Sequence, residues 1–225
     1  MRLPSAAELR ERIPDMNDGI LATAGVIEGF LAAGAATDAL LAASIAATIA
    51  GASSLGGVKF NEAAAERDAE LVLVAEETRD LARSPATELA EIAAYYEQRG
   101  VAPALAAQLE VAHGIRDRTP ASAPYRAAIG GAAAFMLGGA LPVAIVLLTP
   151  PALRATATIL AVLASLALTA LIAARLGRAS MWRTILRALA VGAFTLLISV
   201  VAGWFLPDPD GDAVESYGAA SSEMR

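Results

Sequence analysis

Residues 15–30, DMNDGILATAGVIEGF, combine an apolar run with two acidic side chains. From Gly19 onward the stretch has the composition of a membrane helix, yet Asp18 stands at its start and Glu28 lies inside it. A carboxylate in hydrocarbon costs several kcal/mol unless it is neutralised, hydrated or paired, so such residues usually have a function. The two acids therefore mark this segment as both a structural and a functional element.

The chain as a whole is more apolar than an ordinary soluble domain. Hydrophobic residues make up 56% of its 225 residues, and the mean hydropathy is +0.55. The sequence has no cysteine, which excludes disulfides, thiolate metal sites and Cys nucleophiles, and it has one histidine, which excludes a His-rich zinc site. The net charge of −6 argues against nucleic acid as a partner. The lipid bilayer is the expected surrounding.

Five segments contain no Lys or Arg and are long enough to cross a bilayer, which takes about 20 residues. The predicted fold class is therefore all-α: an integral membrane protein with five transmembrane helices. Glu28 is the one acid inside any of these segments. The segments are residues 19–37, 39–58, 127–149, 155–174 and 188–206.

The distribution of basic residues predicts the orientation. With the N-terminus in the cytosol, segments 1–18, 59–126 and 175–187 hold 15 of the 17 Lys and Arg residues, as the positive-inside rule requires. The N-terminus and the 59–126 insert are then cytosolic and the C-terminus is outside. The Ala- and Arg-rich composition favours a bacterial plasma membrane.

A polar insert, residues 59–126, separates the second span from the third. It has 8 basic and 12 acidic residues and reads as helical. Its first helix is expected to continue out of the second span until Ser84-Pro85, and its second helix to close at Gly100. The predicted organisation is residues 1–58 with the first two spans, the cytosolic insert 59–126, spans three to five in 127–206, and a disordered tail, 207–225.

Acidic residues form stripes on the insert helices. Glu77 and Asp80 share a face of the first helix, and Glu88 and Glu91 are one turn apart on the second. Clustered carboxylates suit a hard or borderline ion such as Mn²⁺ or Fe²⁺. Solvated faces of amphipathic helices give the same pattern, so both interpretations stay open.

Small residues in the first span predict a close helix contact. Gly25 and Gly29 form a G-x-x-x-G, a spacing that lets helices approach closely in lipid, although a chain this rich in Ala and Gly also produces it by chance. Asp18 lies on a neighbouring part of the same face. A two-fold contact between the first spans of two chains would place a carboxylate from each around one axis, as in a cation path.

Several local sequences are similar to those of the vacuolar iron transporter family, a group of Fe²⁺ and Mn²⁺ transporters. NDGILATAGVIEGF resembles the family's opening of the first span, and IAGASSLGGVKFNEAAAERD resembles the end of the second. SPATELAEIAAYYEQRG is similar to the family's run in the insert, and AFMLGGALP to its third span. The resemblance covers residues 12–206.

The resemblance implies a homodimer with an ion path between the chains and proton-coupled export of Fe²⁺ or Mn²⁺ from the cytosol. It implies no permanently bound cofactor, because the metal is the cargo, and it implies no enzymatic activity. Asp18 matches the family's translocation aspartate. The family's metal-holding carboxylates of the insert fall on Glu77, Asp80, Glu88 and Glu91.

The sequence departs from the family at other metal-contacting positions. Where the family's second span ends in Ser-Met-x-x-Gly-Glu-Tyr, this chain has Leu55 in place of Met and Lys59 in place of Glu. The family's Met-Met-x-x-Glu piece late in the insert is absent, and IRDRTPASAP stands there instead. These departures favour an alternative function, a family-like membrane scaffold or regulatory protein that has lost transport.

Three further residues are candidates for the transport path. The first span runs outward and the second runs back, so residues at equal distances from the turn between them lie at the same depth. Lys59 is therefore predicted to lie near Asp18 and to form an ion pair with it. Glu28 is level with about residue 46, where neither helix has a base. It is either a proton carrier or replacement ligand, or a protonated acid bonded to Ser44, Thr48 or a carbonyl. Met136 offers a thioether to the path, or else belongs to the core of the bundle.

Overall fold

All regular elements that the structure describes are helical. The structure, a computed structural model, describes residues 6–84, 90, 94–102, 119–177 and 179–205. Five long helices account for most of these residues, and a short 3₁₀ turn, Pro151–Leu153, precedes the fourth. The helices are α1 (Ala6–Ala32), α2 (Thr37–Arg83), α3 (Ala123–Leu148), α4 (Arg154–Gly177) and α5 (Met181–Trp204).

Four helical stretches in the described part of the chain are long and apolar enough to cross a membrane. They support an integral membrane protein. The predicted first span, in α1, is not one of them, because the last 18 residues of α1 still include Asp15, Asp18 and Glu28. The four stretches are Thr37–Asp80, Ala123–Leu148, Pro151–Gly177 and Met181–Trp204.

The first helix differs from its predicted boundaries at both ends. It begins at Ala6, well before residue 19, and continues through Pro14. It ends at Ala32 rather than at residue 37, because Gly34 adopts a left-handed conformation with φ of 76°. The amide of Ala35 donates to the carbonyl of Phe30 at 3.0 Å across this turn. A positive φ is a conformation that glycine adopts without strain, so Gly34 ends the helix.

The second helix confirms the expected continuous rod. It runs without a break for 47 residues, from the apolar segment into the polar insert. It ends at Arg83, directly before the Ser84-Pro85 step. The α5 helix is longer than its predicted span, since it begins at Met181 rather than at residue 188. Its first turns carry Arg183 and Arg187, which composition alone had assigned to the cytosolic segment.

The chain divides into two compact units, residues 1–58 with 128–225 and residues 59–127. In the first unit, α1 packs against α4 and α5. One buried cluster joins Ile20 and Ala24 of α1 to Val162 and Leu166 of α4 and Leu196 of α5. A second cluster joins Ile27 of α1 to Leu40 and Val146. Apolar contacts on several sides therefore make α1 the central helix of this unit.

The second unit contains the described part of the insert. The rings of Phe60 and Tyr125 meet edge to face, with centroids 5.2 Å apart. The backbone amide of Thr119 donates to the carboxylate of Glu70 at 3.3 Å. Gly100 has a φ of 86°, and its amide donates to the carbonyl of Glu97 at 2.9 Å. A turn with a positive-φ glycine thus lies at Gly100, the predicted end of the second insert helix.

Candidate functional site

A cavity lies between α1, α4 and α5 beside the predicted translocation aspartate. It has a volume of about 350 Å³, and its walls are mainly apolar. Asn17 and Asp18 of α1 line it, together with Thr184 and Arg187 of α5. The side chain of Asp18 is exposed rather than enclosed in the bundle. An exposed carboxylate at the wall of such a cavity is accessible to a cation.

A hydrogen bond next to Asp18 fixes the relation of α1 to α4. The hydroxyl of Thr169 donates to Oδ1 of Asn17 at 2.8 Å, and Thr169 is 9% exposed. Interhelical hydrogen bonds between polar side chains hold apolar helices in one register. Asn17 and Thr169 therefore set the depth of Asp18 relative to the wall of the cavity.

Glu28 is enclosed in the first unit. Its side chain is 2% exposed, and its Oε1 has no hydrogen-bond partner among the described residues. It stands one turn beyond Ala24 on the stripe of α1 that packs against α4 and α5. A buried carboxyl oxygen without a donor costs free energy, so this position has an unmet need for a hydrogen-bond donor or a cation.

The hydrogen bonds proposed for Glu28 from Ser44 and Thr48 are not formed, and that part of the sequence interpretation is wrong. The hydroxyl of Ser44 donates to the carbonyl of Leu40 at 2.6 Å. Thr48 donates to the carbonyl of Ser44 at 2.8 Å and shares a bond of 2.8 Å with Thr23. The Thr23–Thr48 contact also places Glu28 level with about residue 43 of α2, closer to the turn than expected.

Gly25 and Gly29 contact α5 of the same chain. A Cβ atom on Gly25 would lie 2.8 Å from Oγ of Ser199, and one on Gly29 would lie 3.2 Å from the carbonyl oxygen of Ser199. From the other side, a Cβ on Gly203 would collide with the carbonyl of Gly29. The G-x-x-x-G thus serves the α1–α5 contact, whereas exposed Ala22 lies on the face of α1 that carries Asp18.

Lys59 has a carboxylate neighbour on its own helix. Its Nζ lies 3.8 Å from Oε2 of Glu62, one turn further along α2. The side chains of Lys59 and Glu62 are 28% and 60% exposed. An exposed pair of this kind contributes little to stability, about 0–1 kcal/mol. The pair between Lys59 and Asp18 stays a prediction.

Met136 does not belong to the core of the bundle, and that interpretation is wrong. The residue is 49% exposed on α3, whereas its neighbour Phe135 is 6% exposed. The side chain therefore points away from the other helices of its own chain. Its thioether is accessible on the apolar surface, and its part in a transport path stays a prediction.

The four carboxylates of the predicted insert site are only partly described. Asp80 is exposed near the end of α2. The backbone of Glu77 belongs to α2, but its side chain lies outside the described part, as do Glu88 and Glu91 entirely. Among the described residues, no group of three or more His, Cys, Asp or Glu side chains could hold a metal ion. The insert site therefore stays a prediction.

Five polar residues at these sites are not candidates in the sequence interpretation: Asn17, Thr158, Thr169, Thr184 and Arg187. Asn17 enters the sequence interpretation only as part of a motif, and Arg187 only as one of the basic residues that predict the orientation. Thr158 is fully buried on α4, and its Oγ1 has no hydrogen-bond partner among the described residues. A polar residue within an apolar segment was the available signal, but Ser and Thr are common in such segments.

Comparison with known proteins gives one result that bears on the whole bundle. A family model described as the VIT family matches residues 9–204, a range that includes the insert and all five helices except the first three residues of α1. No curated protein matches the chain. The matched range begins before the Asn17–Asp18 pair and ends at the last residue of α5.

Proposed function

The chain belongs to the VIT family, and on this basis we propose that it exports Mn²⁺ or Fe²⁺ from the cytosol as a proton-coupled homodimer. Membership of the family implies transport of metal ions across a membrane rather than enzymatic catalysis. The four membrane-length stretches agree with that setting. Our proposals are the metal, the coupling ion, the dimer, the fifth span in α1, and the bacterial plasma membrane with a cytosolic N-terminus.

The exposed carboxylate of Asp18 in the cavity between α1, α4 and α5 is the observation that supports this function. A transport site must bind the ion and also release it, so an exposed carboxylate is better suited than one enclosed in the bundle. Asn17 and Thr184 add oxygen atoms to the same walls. Arg187 in this cavity would repel a cation and so limit how long the ion stays.

The polar side chains of the cavity favour Mn²⁺ over Fe²⁺. The cavity residues offer carboxylate, amide and hydroxyl oxygens, and the thioether that the family resemblance implies at position 55 is a leucine here. Loss of soft sulfur ligands shifts preference towards harder ions. We therefore expect Mn²⁺ to be the better substrate, with Fe²⁺ transported more slowly.

The proposed dimer contact lies on the exposed face of α1, which carries Asp18 and Ala22. Gly25 and Gly29 pack against α5 of the same chain, whereas Asp18 and Ala22 are exposed and lie one turn apart. A second copy packing on this face would bring two Asp18 carboxylates towards one axis. The small side chain of Ala22 would allow the two α1 helices to approach closely.

Metal content in cells tests the function. Cells that overexpress the chain should tolerate added Mn²⁺ better and hold less of it than cells with an empty vector. The Asp18→Ala variant, expressed to the same level in the membrane, should lose this effect. The alternative function, a scaffold or regulatory protein without transport, requires instead that metal content is the same in all three strains.

A further inference from the structure

Two buried polar atoms without partners occupy matching positions on α1 and α4. They are Oε1 of Glu28, on a side chain 2% exposed, and Oγ1 of Thr158, on a side chain 0% exposed. Each alone would be a local defect that costs free energy. The Asn17–Thr169 hydrogen bond relates the positions of these two atoms to one another.

The Asn17–Thr169 bond gives the register of the two helices. Glu28 is eleven residues after Asn17 on α1, and Thr158 is eleven residues before Thr169 on α4. Eleven residues are close to three turns, so each side chain returns to the face that carries the bonded residue, about 16 Å further along. The helices are antiparallel, since Ile20 and Ala24 meet Leu166 and Val162 in one cluster. Glu28 and Thr158 therefore lie at the same level on facing stripes.

Thr158 differs from the other buried hydroxyls that the structure describes, because each of those has a hydrogen-bond partner. Seven described Ser and Thr side chains donate to the carbonyl four residues back in their own helix, Thr195 among them. Such a bond satisfies a hydroxyl in an apolar setting. Thr158 makes no such bond. Its lone pairs and its proton are thus available to a group between α1 and α4.

We propose that Glu28 and Thr158 hold a small monovalent cation, sodium or hydronium, between α1 and α4 of each chain. Both ions need several oxygen donors, and a carboxylate with a hydroxyl supplies them. The site has one carboxylate, so one positive charge balances it, whereas a divalent ion would leave an excess charge in a low dielectric. This makes it distinct from the Asp18 cavity, where the metal is expected.

Charged side chains elsewhere do not neutralise Glu28. Arg154 is one turn from Thr158, but its Nε donates to the carbonyl of Thr149 at 3.2 Å and its guanidinium also donates to Thr37 at 2.8 Å. On α2, which packs against the neighbouring Ile27, Asp38 is exposed and accepts a hydrogen bond from the amide of Ala39 at 3.0 Å. The remaining described charges on α1, α4 and α5 lie ten or more residues from this level. They are Glu8, Arg10, Glu11, Arg12, Asp15, Asp18, Arg175, Arg183 and Arg187.

The position of the site suggests its role. Glu28 is one turn from the end of α1 at Ala32, and Thr158 is one turn from the start of α4 at Arg154. The apolar cluster around Ala24 separates it from the Asp18 cavity at the other end of the bundle. A cation entering from the side opposite Asp18 would bind here, as a counter-transported ion must. This role rests on the proposed transport function, whereas the binding itself does not.

Thermal unfolding of the purified full-length chain tests the binding independently of transport. Sodium chloride is varied against choline chloride at constant ionic strength, and pH is varied separately. If the site binds sodium, the Tm of the wild type rises by about 5 °C over a hundredfold range of sodium. Glu28→Gln and Thr158→Val should both abolish the rise. Thr195→Val and Glu11→Gln are matched controls that should keep it.

Each other outcome also decides the proposal. A Tm that depends on pH but not on sodium, with the dependence lost in Glu28→Gln and reduced in Thr158→Val, identifies hydronium as the ion. No dependence on either ion overturns the proposal, as does a pH dependence that Thr158→Val leaves unchanged. If Glu28→Gln does not fold, Thr158→Val and Thr158→Ser give the same test, since only serine keeps the hydroxyl. Sodium binding without metal transport would contradict the proposed transport function but not the cation site.

Discussion

The hydroxyl of Thr169 on α4 donates to Oδ1 of Asn17 on α1 at 2.8 Å, directly beside Asp18. The bond joins two apolar helices at the edge of the cavity that Asp18 lines. Because it fixes their register, it affects both the stability of the bundle and the position of the carboxylate.

Removal of this bond should destabilise the protein and slow transport. Thr169→Val keeps the side-chain volume but leaves the amide oxygen of Asn17 without its donor, which costs about 1 kcal/mol. We expect a fall in Tm of about 2–4 °C and a lower rate of metal flux at unchanged expression. Thr195→Val is the control, since that hydroxyl donates only within α5. Equal Tm values for the two variants would show that the interhelical bond contributes nothing.

The close approach of α1 and α5 should make Gly203 intolerant of a side chain. An added Cβ meets the carbonyl of Gly29 and lies 2.9 Å from Cβ of Ala32, and both are backbone or near-backbone atoms that cannot move aside. Gly203→Ala should therefore lower the free energy of unfolding by about 1–3 kcal/mol. Denaturation of the purified protein followed by circular dichroism measures the change.

Gly57 provides the matched control for Gly203. It also lies inside a helix, but an added Cβ would meet nothing within 4 Å. Gly57→Ala should leave stability unchanged or raise it by up to about 1 kcal/mol, because alanine loses less backbone entropy in a helix. Destabilisation of the same size at both positions would mean that helix contact is not the cause.

Lys59 should contribute little to stability although it departs from the family pattern. Its pair with Glu62 is exposed, and such pairs are worth about 0–1 kcal/mol. Lys59→Gln is expected to shift Tm by no more than about 2 °C. If Lys59 also neutralises Asp18, the same variant should transport metal faster than the wild type. A large loss of stability would instead assign Lys59 a structural role that its exposure does not suggest.

The membrane helices could be predicted from the sequence because apolar runs without Lys or Arg carry a strong signal. The continuous α2 could also be predicted, since neither Pro nor a positive-φ glycine interrupts it. The start of α1 was missed because charges and Pro14 obscure a helix that continues to Ala6. Helices tolerate proline where packing compensates for the lost hydrogen bond.

The candidate sites could be predicted only one residue at a time. Asp18 and Glu28 were recognised because each acid is anomalous in its apolar surroundings. Thr158, the expected partner of Glu28, could not be found, because its relation to Glu28 depends on which helices pack together. A sequence gives the depth of each residue within its own helix but not the face that meets a particular neighbour. The bond between Asn17 and Thr169 supplies that information.

Metal flux into proteoliposomes tests the central claim most directly. The wild type, Asp18→Asn and Glu11→Gln are reconstituted at equal density, and uptake of Mn²⁺ and Fe²⁺ is followed side by side. Glu11 is exposed two turns before Asp18 on the same face of α1, so its variant makes the same change of charge outside the cavity. The wild type and Glu11→Gln should move Mn²⁺ at similar rates, and Asp18→Asn at least about tenfold more slowly. Equal flux in Asp18→Asn and the wild type would contradict the account.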